Sequence, residues 1–434
     1  MNSPDFIQKM LWDDIKSLME NIQLFVKNPE KDFTRNRKLP FQQIMNLILA
    51  LEKETISNEL FKYFGYKADI PTASSFCQQR AKILSEAFRE LLYRFNQHFK
   101  PKLLRGLRIL ACDGSEFRLP LNEKDKVTYI KPSSRSVMGY NALHVVALYD
   151  ILSDRYTDAV INSFAKPNEP RALCQLTDRI ENRGGYKNLI IADRGFAAYN
   201  FFAHAIEKGV YFMVRAKDDN TEYMIGKRLD ELPDKFDMTV HRILTKSKSV
   251  RNWKKPENKD QYRICKNYFD FVNESNSEYG MDLRILRFKI SETAYENIVT
   301  NLPADFSPAT IKKLYEMRWK IETSFCTLKH TLGATTLHSK KYEYILQEIW
   351  ARMVLYNFGS EIIKCCRVKA GRRKRKLKYK LNVAKAMKIC RKFLKNIIKG
   401  DIRKLIEKFI LPIRNNRIFK RRKRTSIAVC LNYR

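Results

Sequence analysis

The stretch LRILACDG, residues 107–114, decides the architecture. It is an apolar run too short for a helix, and it ends in a carboxylate, Asp113, followed by Gly114. Such a run reads as a buried strand. A second of the same design, KNLIIADRG at 187–195, ends in Asp193 with Gly195 two residues on. Between them, NALHVVALYD from Asn141 and RYTDAVINSF from Arg155 read as two strands joined by a turn at Ser153-Asp154. A helix follows from about Pro170 to Arg183, stopped by Gly184-Gly185. Beyond the second carboxylate, AAYNFFAHAIEKG reads as a helix and VYFMVRAK as a strand. An antiparallel start that passes into strand–helix–strand units predicts an α/β sheet with helices packed on it. In such sheets ligand sites gather at the carboxyl ends of strands, and glycine there lets another group come close. Aspartate also ends strands merely because it favours turns, so either residue alone carries little weight.

Outward from this core the periodicity changes. Residues 1–105 read as helical: FQQIMNLILALEK from Phe41 repeats its apolar residues at helical spacing, and ISNELFKYFG from Ile56 stops at Gly65. Thr72 then caps ASSFCQQRAKILSEAFRELLYRF, a helix carrying Gln78, Gln79, Arg80 and Lys82. Helix, short turn and capped helix fit a helix-turn-helix reader of duplex DNA, and equally an ordinary bundle. Residues 106–217 hold the first part of the α/β core. From 218 to 301 helical periodicity is lost, and short strands such as YRICKNYF and LRILRFKI suggest a β-rich insertion. Helix returns in 302–340 and continues through a basic region, 341–434.

The chain of 434 residues carries 83 Lys+Arg against 47 Asp+Glu, a net charge of +36, which calls for a polyanionic partner. From Glu361 to Arg434 stand 27 basic and 3 acidic residues, densest in GRRKRKLKYK from Gly371 and FKRRKR from Phe419. Apolar residues recur through this segment at helical intervals, so it reads as ordered basic helices laid on a phosphate backbone rather than a solvated tail. With 44% hydrophobic residues the chain is no disordered polymer, and no stretch reaches the length of a membrane span. Its first residues, MNSPDFIQKMLWDDIKSLME, lack a signal peptide's basic flank and apolar core, so a soluble intracellular protein is expected. The nine cysteines form no C-x-x-C pair and the six histidines no H-x-x-x-H pair, which argues against disulfide frameworks and histidine-ligated metals.

The remaining feature is the stretch LYEMRWKIETSFCTLKH, residues 314–330. On a helix turning about 100° per residue, Tyr315, Arg318, Glu322 and Lys329 share an arc of about 60°, opposite Met317, Ile321 and Leu328. Spacing alone favours a plain exposed Arg–Glu pair of i,i+4 type. The set as a whole, Tyr-x2-Arg-x3-Glu-x6-Lys preceded by Asp-Gly-Ser and Asp-Arg-Gly-Phe, resembles the DDE transposases of bacterial insertion sequences. It matches the subgroup of the fourth insertion-sequence family that is marked by this helix. The order Asp113, Asp193, Glu322 and the longer second gap, which a β-rich insertion would produce, also fit.

The resemblance implies a ribonuclease-H-like fold, flanked by helical regions, in which Asp113, Asp193 and Glu322 converge. They would hold Mg²⁺ or Mn²⁺, as a pair of ions, since three close carboxylates repel one another unless a cation neutralises them. Arg318, Lys329 and Tyr315 would hold DNA phosphates. Hairpin formation at a transposon end would extrude a base, and Trp253 is the candidate stacking platform. The partners implied are double-stranded DNA, as terminal inverted repeats and target, and a second copy of the chain; the place is the cytoplasm, at the nucleoid. A structure-selective nuclease of the same fold and a repressor with a vestigial core are the alternatives. Ser115 lacks the elbow of a serine nucleophile, His204 reads as a packed residue, and Asp150, Asp154 and Asp158 are weaker rivals to Asp193.

Overall fold

The strands expected around the two aspartates assemble into one mixed sheet. In the computed structural model, the residues described are 3–413 apart from 36, 133–137, 164–167, 182–183, 248–260, 266–267, 293, 369–376 and 399. The central strands are β1 (Leu107–Leu119), β2 (Tyr129–Ile130), β3 (Tyr140–Asp150), β4 (Arg155–Ser163), β5 (Lys187–Ala192) and β6 (Tyr211–Ala216). β1 lies antiparallel to β3 and parallel to β5, β3 is antiparallel to β4, and β5 is parallel to β6. The order β4-β3-β1-β5-β6, with β3 alone reversed, is that of a ribonuclease-H-like α/β core.

Strand alternation divides the sheet into two apolar faces. Ile109, Ala111, Leu189 and Ile191 face one core, shared with Ile321, Leu328 and the N-terminal helices. Leu110, Cys112, Ile190 and Ala192 face the other, shared with Leu173 and Leu176 of the helix Glu169–Asp178 and with Phe201 and Phe202 of the helix Tyr199–Glu207.

Strands from the stretch read as β-rich add themselves to this sheet instead of forming a separate layer. They are β7 (Phe236–Thr245), β8 (Tyr262–Ile264), β9 (Glu278–Lys289) and β10 (Tyr295–Thr300). β10 pairs antiparallel with β6, and the sheet continues outward through β9, β7 and β8. A short helix that the sequence pattern does not announce, Asp218–Ile225, precedes them and is closed by Gly226 in the left-handed conformation, φ +77. Its eight residues span barely two turns, too few to show a period.

Two expectations about the helical flanks change. The helix capped by Thr72 ends at Arg80, and a new one begins at Glu86. Between them the chain leaves helix to bond elsewhere: Lys27 N–H donates to Lys82 O and Leu84 N–H to Phe25 O, both at 2.9 Å. Nor can two of the supposed DNA-reading side chains read DNA. Gln79 and Arg80 are buried, and Arg80 donates to Gln347, to the carbonyl of Tyr344 and to Glu348. These acceptors belong to the helix Tyr342–Lys364, which is buried on nearly every side and so acts as the central post of the helical half. Among the described residues no helix is long and apolar enough to cross a membrane.

Candidate active site

Strand register sets the first two carboxylates. β1 and β5 pair in parallel up to Ala111–Ile191 and Cys112–Ala192, where the pairing ends. Asp113 and Asp193 are therefore the next residues on neighbouring strands, about 5 Å apart in backbone spacing. Both continue the face that carries Ala111 and Ile191, where the glutamate helix packs. Asp113 does not close its strand as expected: β1 runs on to Leu119 paired with β3, and only its β5 edge is released at this point. Asp193 does end its strand, capping the short turn Arg194–Phe196.

The third carboxylate arrives on a helix with two irregularities. Helix Pro308–Glu316, capped by Ser307, leads into Trp319–Cys326 through a tightened turn in which Arg318 N–H bonds to Tyr315 O and Ile321 N–H to Arg318 O. A π turn, Thr327–Thr331, then re-aims Lys329. The polar arc is not an exposed one: Tyr315 and Arg318 are only 6% and 4% exposed, so the solvated-pair reading fails. Arg318 Nη2 donates to Glu322 Oε1 at 3.1 Å, and the Tyr315 hydroxyl reaches Asp193 Oδ1 at 3.4 Å. Lys329 donates to Ser115 Oγ at 2.7 Å and to the carbonyl of Glu116, with its ammonium 4.8 Å from the Phe117 ring centre. Ser115 thus serves to hold a lysine.

Electrostatics follow from this packing. Burial pushes the Asp113 carboxyl up to about 6; the Arg318 charge and the Gly114 N–H pull against that, while Glu322 and Glu169 push the same way as burial. Burial works against the Arg318 charge, and the carboxylates of Asp193, Asp113 and Glu322 keep it charged. One guanidinium therefore lies in the field of all three expected carboxylates and supplies their counter-charge. Its Nε has no hydrogen-bond partner among the described residues.

The chain matches the family described as the transposase DDE domain over residues 104–358, more than half its length. It belongs to the DDE transposase family. Among solved structures it is similar to a piggyBac transposase in a synaptic complex with hairpin DNA, with 9% identity, a TM-score of 0.46, and coverage of 94% of this chain and 84% of that one. No curated protein matches.

DDE transposases use divalent metal ions, and the donor chemistry of this transposase fits them. The side chains are hard oxygen donors, and one carboxyl is raised chiefly by burial, with neighbouring acids adding to it. Among the described residues no three acidic, histidine or cysteine side chains are already drawn together as a cage. The carboxylates stand around Arg318 instead.

The rival aspartates are committed elsewhere in the transposase. Asp150 pairs with Arg108 at 2.9 Å, Asp158 with Arg179 at 3.3 Å and Asp154 with Lys320 at 3.4 Å. His204 bridges Asp178 and Asp270 at 2.7 and 3.0 Å, a tie between a helix and the inserted segment. Trp253 lies outside the described residues, as do most of GRRKRKLKYK and all of FKRRKR.

Three residues near the site are not evident from the sequence. Glu296 on β10 is raised chiefly by burial, with Asp193 adding to it, and Arg215 at 3.3 Å opposes the rise. Glu169 and His144 form a pair at 3.0 Å beside the two aspartate turns. The sole hint of Glu169 in the sequence is its place directly after Asn168, the residue that caps its helix.

Proposed function

We propose that this DDE transposase excises its own element by cut-and-paste, cleaving at terminal inverted repeats and joining the ends to target DNA. The observation that carries the reading is the parallel register of β1 against β5, which ends one residue before Asp113 and Asp193, together with the helix that bears both Arg318 and Glu322. Asp113, Asp193 and Glu322 would hold the Mg²⁺ or Mn²⁺, probed best as a two-ion site. When bound, such ions favour in-line displacement at phosphorus by activating the attacking oxygen and steadying the leaving one. The chain's own side chains do the rest. Arg318 offers a guanidinium fork that can leave Glu322 for a scissile phosphate, and its unpaired Nε is a ready second donor. Lys329, pinned to β1, places a point charge on the strand beside Asp113. Tyr315 keeps its proton, because burial drives its hydroxyl upward, and so acts as a donor to an anion.

Cleavage through a DNA hairpin needs an aromatic surface for an extruded base. Besides Trp253, Trp319 is suited to receive one. It is 54% exposed, precedes Glu322 by one helical turn and has the Arg318 guanidinium 5.2 Å from its ring. The helix Val383–Leu394 buries its apolar face and leaves Lys385, Lys388 and Lys392 exposed at steps of three and four, a stripe suited to a phosphate backbone. Two ends joined at one target call for two copies of the chain, acting at the nucleoid.

The test is incubation of the protein with DNA flanking its own gene, in Mg²⁺ or EDTA, with mapping of 3′ ends and hairpins. Mg²⁺-dependent hairpins at the element's ends are expected. Cuts at branched DNA of any sequence would point to a structure-selective nuclease, and binding without cuts to a vestigial repressor.

A further inference from the structure

Two glycines follow the proposed catalytic aspartates, and one side chain occupies the space beside both. A Cβ placed on Gly114 would lie 2.2 Å from Glu169 Oε1 and 2.6 Å from His144 Nε2, and a Cβ on Gly195 would lie 2.6 Å from Glu169 Oε2. All three distances are shorter than real Cβ contacts, so the carboxylate lies where any other residue's side chain would begin. Neither glycine has a positive φ, so the turn does not demand them. A side chain at either position would have to push the Glu169 carboxylate aside.

The approach has a direction. Gly114 is one residue on from Asp113 and faces the opposite core, as do Val146, its partner on β3, and the helix that starts at Glu169. The Glu169 carboxylate therefore comes from the rear face of the sheet, into the notch that opens where β1 and β5 stop pairing. Asp113 and Asp193 flank this notch from the front. Asp113 feels the Glu169 charge from behind as it feels Glu322 from the other face. The neighbouring Glu296 has an arginine beside it, whereas the Glu169 carboxylate is held by His144, which is itself buried. The histidine fixes one oxygen and leaves the other toward Gly195.

We infer that Glu169, clamped by His144, is a fourth oxygen donor to the divalent cations of this centre, and that Gly114 and Gly195 are glycines because its carboxylate passes between them. The inference rests on the transposase reading of Asp113, Asp193 and Glu322. A carboxylate brought to the back of a notch lined by two others adds repulsion that a divalent ion relieves. A mere spacer between two backbones would need the shape of a carboxylate and not its charge.

Glu169→Gln separates the two, since glutamine keeps the shape. Mn²⁺ binding to the full-length protein without DNA is measured by calorimetry, with the melting temperature of the metal-free protein alongside. Glu169→Gln should weaken Mn²⁺ at least tenfold, with the metal-free melting temperature unchanged or raised. Gly195→Ala should produce a similar loss by displacing the carboxylate, and should add nothing in a Glu169→Ala background. Wild-type Mn²⁺ affinity in Glu169→Gln would overturn the inference and leave a spacer. Asp113→Asn is the control that tells the two readings apart. If it too binds Mn²⁺ normally, or if the wild type binds none, the metal centre itself is wrong; if it loses binding while Glu169→Gln does not, only the fourth donor is.

Discussion

Two interior clusters of this protein bring arginine and carboxylate together with opposite results. In the helical half, Glu348 is fully buried and held down to about 2: burial would raise it, but Arg80 at 3.0 Å, His338 and Arg352 outweigh that cost. Its two oxygens also accept from the His338 backbone N–H, at 3.2 Å each. At the sheet edge, Asp113 is pushed up to about 6, with Glu322 and Glu169 adding to burial and Arg318 shared among several acids. In the first cluster the glutamate's oxygens are occupied, although the buried Arg352 guanidinium has no hydrogen-bond partner among the described residues, and the Arg80–Glu348 pair fastens the N-terminal helices to the central helix. The second is short of positive charge. A carboxylate cluster short of positive charge is the one of the two suited to a cationic ligand.

The largest expected effect is on the Glu348 cluster. Glu348→Ala leaves Arg80 and Arg352 buried without their anion and should cost about 3–5 kcal/mol in denaturant unfolding. A loss below ~1 kcal/mol would remove the contrast between the clusters. Asp113→Asn should do the reverse: it should stabilise the metal-free protein by about 2 kcal/mol at pH 7.5. The sign follows from linkage. A carboxyl raised in the folded state binds protons more tightly there than in the unfolded chain, so stability falls as pH rises from about 4 to about 6 and stays lowered above. The advantage of Asp113→Asn should therefore vanish as the pH approaches 4. An advantage independent of pH would contradict the assignment. Arg318→Ala removes charge from the needy cluster and should raise the Asp113 pKa by about one unit, followed by carboxylate NMR titration. An unchanged titration would mean the arginine serves Glu322 alone. The smallest effect concerns the surface: Lys388→Ala and Lys392→Ala together should lower DNA affinity several-fold and flatten its salt dependence by about two counterions. An unaltered slope would remove this helix from the DNA path.

Much of the core was legible because its signals are local. Apolar runs ending in Asp113 and Asp193 declare strands, and the parallel pairing of two such runs sets the aspartates side by side. The helix bearing Glu322 was legible as a motif, though its buried arc was not. Burial of Arg318 depends on the sheet edge it meets, which periodicity within one helix cannot reveal. Arg80 misled for the same reason: a basic residue on a capped helix looks the same whether it faces DNA or, as here, a glutamate 268 residues away. Glycine after each aspartate signalled a close approach, but Glu169, far along the chain from Gly114, could be recognised as the approaching group only once the strands were folded together.

The most direct measurement of the central claim is Mg²⁺-dependent cleavage of end-bearing DNA by Asp113→Asn, Asp193→Asn and Glu322→Gln, each checked for DNA binding. Loss of cleavage by about a thousandfold or more in all three, with binding retained, is the result expected of carboxylates acting as one unit. Substantial cleavage by any one of them would contradict the account.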